Sequence, residues 1–177
     1  MIHISTTLDL DLVNNPRKSI INSKEIVRQF QNNSWLKGEG AIYVLVDQVQ
    51  NPGEFIYVGS STRVKDYPHV TIKGGMNRKY SYKWIHHLPI YAQLEAHFIT
   101  FGNVLDFPAV QSYLPKATLK EQVMTFIETI EAEIVYAIRE KTGKWPKYQN
   151  EIHFHTQLAQ DELIKKEINQ TMKILRL

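Results

Sequence analysis

The sequence predicts an α+β domain, and three stretches carry that expectation. Residues 41–61, A-I-Y-V-L-V-D-Q-V-Q-N-P-G-E-F-I-Y-V-G-S-S, hold two β-rich runs, 41–47 and 55–59, joined by 48–54. Asn51-Pro52-Gly53 lies in the joint, where Pro suits the second place of a tight turn and Gly tolerates positive φ. The two runs therefore read as a hairpin. Leu94, Ala96, Phe98 and Thr100 alternate with Glu95, His97, Ile99 and Phe101, which reads as a third strand over 94–101. A long helix follows: Thr118 and Glu121 form a capping box, and Val123, Phe126, Ile127, Ile130, Ile134, Ala137 and Ile138 recur at spacings of three and four. Gly143 ends that helix and Pro146 confirms the stop.

Composition bounds the rest. A chain of 177 residues is long enough for one domain with a proper core, and 43% apolar with 22% charged residues fits an ordinary globular protein. No run of 18 apolar residues and no charged-then-apolar leader occurs, so neither a membrane span nor a signal peptide is expected. The absence of cysteine excludes disulfides and thiolate zinc sites and suits a cytoplasmic protein. A net charge of +3 is only mildly basic, so a nucleic-acid partner would need a local patch.

The chain in order begins with an alternating strand or extended arm over 1–12, broken by Asn14-Asn15-Pro16. Ser23 is a candidate N-cap for a helix over 24–32, and Gly38 and Gly40 release the chain into the hairpin. This N-terminal arm and helix, 1–39, precede a core of about 40–150. After Gly59 come Ser60-Ser61-Thr62-Arg63, a polar loop, then irregular chain around Pro68, Gly74-Gly75, and a helix over 76–86. Within 73–83, Lys73, Arg78, Lys79 and Lys83 are interleaved with Tyr80 and Tyr82, with no negative charge among them. Such a mixture offers cations to phosphates and flat rings to bases, although it equally describes a solvated helix face. Residues 102–116 read as a loop, 151–155 as a short run, and an amphipathic helix from about Asp161 closes a C-terminal segment of 156–177.

Chemistry has two candidate carriers. Tyr43 and Tyr57 fall one in each arm of the hairpin, where alternation lets them share a face. On the long helix the apolar arc centres near Ile130, with Glu131 and Glu133 on opposite margins and Glu128 toward solvent. Periodicity does not choose between Glu131 and Glu133 as a metal-binding carboxylate. Histidine offers a competing site: His153 and His155 alternate on the 151–155 run, and His86 and His87 are adjacent. Zinc, however, wants three or four ligands, and no H-x-x-x-H occurs. No P-loop, G-x-S-x-G or G-x-G-x-x-G occurs either.

Ala41-Ile-Tyr43 followed by Tyr57-Val-Gly59 resembles the paired tyrosine motif of the GIY-YIG nucleases, with Ala41 for the first Gly and Val58 for the second Ile. The resemblance implies a small antiparallel (mixed) sheet with flanking helices. It also implies a metal-binding Glu with aliphatic residues three and four positions on, which Glu131 matches through Ile134 and Val135. Pro146-Lys-Tyr148-Gln-Asn150 resembles the family's closing element with one extra residue, putting Asn150 at the family Asn. The catalytic arginine is displaced: Arg78 lies 21 residues after Tyr57, which requires an insertion over 64–75 like those of the restriction-enzyme members. Tyr82 follows Arg78 by one turn, and Arg63 is the reserve. The matched pieces span residues 40 to 150 of 177.

The implied function is a Mg²⁺-dependent (or Mn²⁺-dependent) endonuclease acting on double-stranded DNA, a compact type II restriction endonuclease. Tyr43 or Tyr57 would orient or deprotonate the attacking water and Arg78 would stabilise the phosphorane. Glu131 would hold the metal and Asn150 would support the site. Arg63, Lys73, Lys79 and Lys83 would contact DNA, and a homodimer is compatible with this class. The alternatives are a non-catalytic nucleic-acid-binding or interaction module of the same fold, or a repair or mobile-element nuclease.

Overall fold

All seven residues of strand β2, Ala41–Asp47, are buried, which marks the middle of a sheet covered on both faces. The computed structural model describes residues 1–11, 28, 40–62, 91–149 and 152–177. Beside β2 lie β1 (Ile2–Asp11), β3 (Phe55–Ser61) and β4 (Tyr91–Thr100), in the order β1-β4-β2-β3, and every pair is antiparallel. Three helices follow among the described residues: α1 (Pro108–Tyr113), α2 (Leu119–Thr142) and α3 (Glu162–Ile174). The fold is α+β, as the sequence predicts.

Alternation along β2 assigns the two faces. Ile42, Val44 and Val46 join Val58, Ile99 and the inner side of α2 (Phe126, Ile127, Ile130, Ile134) in one core. Ala41, Tyr43 and Leu45 join Leu8, Leu94, Ala96 and Phe98 in the other. Ile42, Val44, Ile56 and Val58 are fully buried, and each such side chain is worth about 1.5–3 kcal/mol of transfer free energy. The β2–β3 register slips between Leu45 and Val46, so Ile56 is an extra residue facing no partner. It enters the tyrosine-side core beside Tyr57.

The hairpin closes as its turn residues require. Glu54 N–H donates to Asn51 C=O at 2.8 Å across Pro52-Gly53, with Gly53 at φ +89°, the conformation that a type II turn demands at that place. The buried Asp47 carboxylate accepts from the N–H groups of Val49, Gln50 and Asn51 at 2.8, 3.1 and 3.3 Å. Helix α2 starts at a Thr118–Glu121 capping box and ends at Gly143.

Several sequence expectations need adjustment. Ser60 and Ser61 belong to β3 and not to a polar loop. The third strand begins at Tyr91, three residues early. The 102–116 loop contains a 3-10 turn (Val104–Asp106) and α1, because Pro108 starts a helix at N1 instead of breaking one. Residues 152–156 are irregular, so His153 and His155 do not sit on a strand. The last helix starts at Glu162 with Asp161 as its cap, after a 3-10 turn at Gln157–Gln160. Of the helix expected over 24–32, Arg28 is described and is helical; the helix expected over 76–86 lies outside the described residues.

Asp47 is the test of the hairpin. Replacing it with Ala leaves three turn N–H groups to water and is expected to cost about 1–3 kcal/mol. Asp47→Asn, which keeps one accepting oxygen, should cost less. Urea denaturation of both variants measures the difference.

Candidate active site

The two tyrosines meet because β2 and β3 pair as they do. Tyr43 lies opposite Gly59 and Leu45 opposite Tyr57, so the tyrosines are diagonal neighbours on one face. Their ring centroids are 5.9 Å apart and the planes are inclined by 39°. Gly59 makes this possible. A Cβ there would stand 2.6 Å from both Cζ and Oη of Tyr43 and 2.7 Å from Cε1 of Tyr57. The Tyr43 ring therefore reaches across β3 through the space a side chain would fill. Tyr43 is buried, Tyr57 is half-buried, and Tyr148 packs against the same cluster.

Glu131 is buried where α2 crosses β3, with 5% of its surface exposed. Its carboxyl is hydrogen-bonded to the side chains of Ser60 and Gln149. Burial pushes its pKa up to about 7; the Ser60 bond, the nearby His153 and the Gln149 bond oppose that rise, and Glu128 adds to it. Glu133, on the other margin of the helix, is engaged elsewhere: its Oε1 lies 2.7 Å from His155 Nδ1. The structure thus separates the two margin glutamates that periodicity left equal. Glu128 is half-buried, not turned wholly to solvent.

A third segment joins these parts. Past α2 the chain runs along the outer edge of β3, where Lys147 N–H donates to Phe55 C=O at 2.9 Å and Tyr148 N–H to Ile56 C=O at 3.0 Å. Val58 N–H donates to Gln149 Oε1 at 3.0 Å. Tyr148 accordingly packs with the tyrosine pair while Gln149 bonds Glu131. Ser60 lies opposite Ile42, on the helix side of the sheet, so Glu131 and the tyrosines occupy opposite faces of β3. Gly59, Ser60 and the edge segment are where the two sides adjoin.

Of the residues singled out in the sequence, Tyr43 and Tyr57 are brought together, and Glu131 is placed against the same strand. Arg63, Lys73, Arg78, Lys79, Tyr82, Lys83 and Asn150, with His86 and His87, lie outside the described residues. Ser60 and Gln149 are not among the residues the sequence singles out, and His153 is weighed there only as a zinc ligand, not as a neighbour of Glu131. Ser60 could have been found, since it shares the helix-facing alternation of Val58, and Gln149 sits one place before the Asn that drew attention.

Among the described residues no group of three or more His, Cys, Asp or Glu side chains is arranged to hold a metal ion. Around Glu131, Ser60 offers a hydroxyl oxygen while Gln149 turns its NH₂ inward and His153 is an imidazole, so the Glu131 carboxylate is the group there suited to Mg²⁺ or Mn²⁺. One carboxylate suffices in number for an ion that keeps several waters and takes the remainder from phosphate. No helix among the described residues is long and apolar enough to cross a membrane. No protein-family model, curated protein or solved structure matches the chain.

Glu131 sets a pH dependence. Between about 4.5 and about 7 the unfolded chain releases this proton and the folded one keeps it, so stability falls as pH rises through that window. The loss is about 3 kcal/mol at roughly 1.4 kcal/mol per unit. His3 and His97, held low mainly by burial, contribute the opposite slope. The informative quantity is therefore wild type minus Glu131→Gln: between pH 5 and pH 8 the urea midpoint of the wild type should fall relative to that of the variant.

Proposed function

We propose that this chain is a metal-dependent DNA endonuclease of the GIY-YIG kind, and within that class a type II restriction endonuclease. The observation that carries the reading is the pairing of Tyr43 with Tyr57 over Gly59, one residue from the Ser60 that bonds buried Glu131. Two motif-bearing strands, a helix carboxylate in motif register and the Pro146–Gln149 element thus adjoin one strand edge.

In phosphodiester hydrolysis a water loses a proton, its oxygen bonds to phosphorus, and the bond to the leaving alkoxide breaks. A tyrosine with a free pKa near 10 holds its proton at pH 7 and serves best by orienting the water. A divalent ion at Glu131 would supply charge neutralisation at the phosphate. Burial leaves Glu131 half protonated near neutrality, so the carboxylate gains most from a cation when pH exceeds about 7. Arg78 is proposed to donate a fixed pair of hydrogen bonds to the non-bridging oxygens. Arg63, Lys73, Lys79 and Lys83 are proposed to neutralise flanking phosphates, with Tyr82 and Asn150 in support. A homodimer and a cytoplasmic location belong to the same proposal.

The second reading is a binding module of this fold without catalysis. The separation of Glu131 and the tyrosines onto opposite faces of β3 favours it.

Digestion of phage DNA with Mg²⁺ separates the two, since a restriction enzyme yields discrete bands and a binding module yields none. Glu131→Gln should abolish cleavage while retaining DNA binding, and should lose the rise in thermal stability that Mg²⁺ gives the wild type at pH 8. Gly59→Ala should lower single-turnover cleavage by about 10²-fold by displacing Tyr43. Arg78→Lys should cost on the order of 10² to 10³ in turnover and Arg63→Lys much less. If Arg63→Lys is instead the inactive variant, the insertion over 64–75 is misassigned.

A further inference from the structure

One turn beyond Glu131, α2 carries a second group of side chains that the site above leaves unused. The Tyr136 ring is stacked on His155, with centroids 3.9 Å apart and planes inclined by 26°. Trp145 meets the same ring edge-on at 5.4 Å. Gly143 turns the chain back at the end of α2 and so brings Trp145 over the helix, where Arg139 holds its guanidinium 5.4 Å from the indole centre. Glu133 fixes the imidazole by its bond to His155 Nδ1. The result is a shelf of rings locked in place before any ligand arrives.

Its outer surface is open. Trp145 is 38% exposed and the His155 side chain 58%; Phe154, the residue before His155, is 84% exposed. Lys144, next to Trp145 in sequence, and Arg139, whose guanidinium lies over the indole, are exposed, whereas Lys141 bonds the Arg176 carbonyl. Flat apolar rings next to cations suit bases that stack and phosphates that need neutralising. A continuous duplex conceals the faces of its bases, whereas an unpaired nucleotide offers both.

We propose that this shelf binds an unpaired segment of nucleic acid, with bases stacked on Phe154 and Trp145 and phosphates against Arg139 and Lys144. The proposal rests on the nucleic-acid half of the reading above and not on its hydrolytic half. Tyr136 follows Glu131 by five residues, about 7.5 Å of helix rise and roughly 140° around the axis, so the shelf lies near the carboxyl along α2 but on another face of the helix. Bulges, flaps or frayed ends would then be preferred over intact duplex.

The test is fluorescence anisotropy of a labelled oligothymidylate, and of a blunt duplex of equal length, titrated with the full chain in EDTA. Wild type should bind the single strand, and Trp145→Ala and Phe154→Ala should each weaken it by about 5- to 100-fold. Trp145→Phe, which restores a ring, should recover most of the loss. Duplex binding should change by less than about twofold in all three, with circular dichroism reporting their fold. Absence of single-strand binding by the wild type overturns the proposal, as does equal weakening of strand and duplex. A protein that cuts duplex DNA with Mg²⁺ yet ignores oligothymidylate refutes the shelf and leaves the nuclease reading standing. One that binds oligothymidylate but cuts no DNA does the reverse.

Discussion

The hydrogen bonds along the outer edge of β3 are the constraint on which the candidate site depends. A sheet edge leaves N–H and C=O groups without partners, and their satisfaction by Lys147, Tyr148 and Gln149 does more than protect that edge. It ties the far end of α2 to the strand that α2 crosses. The helix is thereby held at both its packing face and its exit, and Glu131 is fixed relative to Ser60 by two routes. The Gln149 amide is oriented by a backbone donor, Val58 N–H, so its remaining NH₂ has one direction to give.

Burying a carboxyl between a helix and a sheet is unfavourable unless something compensates. Here two neutral hydrogen-bond partners and a nearby histidine compensate in part, and the net direction is still upward. A carboxyl whose only role was to stabilise the fold would be better replaced by Gln or by an aliphatic side chain. The tyrosine pair has a similar character: two large rings share a face only because the intervening strand position lacks a side chain. Both features give up packing convenience at adjoining points of one strand, and that coincidence is why the site is drawn there.

What was legible in the sequence was what local rules govern. The Asn51-Pro52-Gly53 turn, the bounds of β2, and the capped α2 from Leu119 to Thr142 follow from turn chemistry, alternation and capping, all of which act over a few residues. The loop expected over 102–116 hides α1 because a proline, which breaks a helix interior, opens a helix at N1. Glu131 and Glu133 were indistinguishable because a helical wheel shows where a residue points and not what waits there. The distinction came from Ser60 and Gln149 on one side and His155 on the other, partners distant in sequence. The bulge at Ile56, which carries Tyr57 and Ile56 to the same core, left no local signature either.

The strand order has a consequence for how the chain assembles. β1 comes first in the sequence, yet its hydrogen-bonded partner is β4, which arrives roughly eighty residues later and must enter between β1 and β2. The β2–β3 hairpin can close locally within microseconds, as hairpins do, but among the described strands the ladder that β1 joins is that of β4. During synthesis the first strand is therefore exposed while most of the sheet is still unmade, and completion waits on a long-range closure. In this strand order the first strand depends on a long-range closure, the kind that loop entropy makes slow, and it stays open to foreign pairing until then.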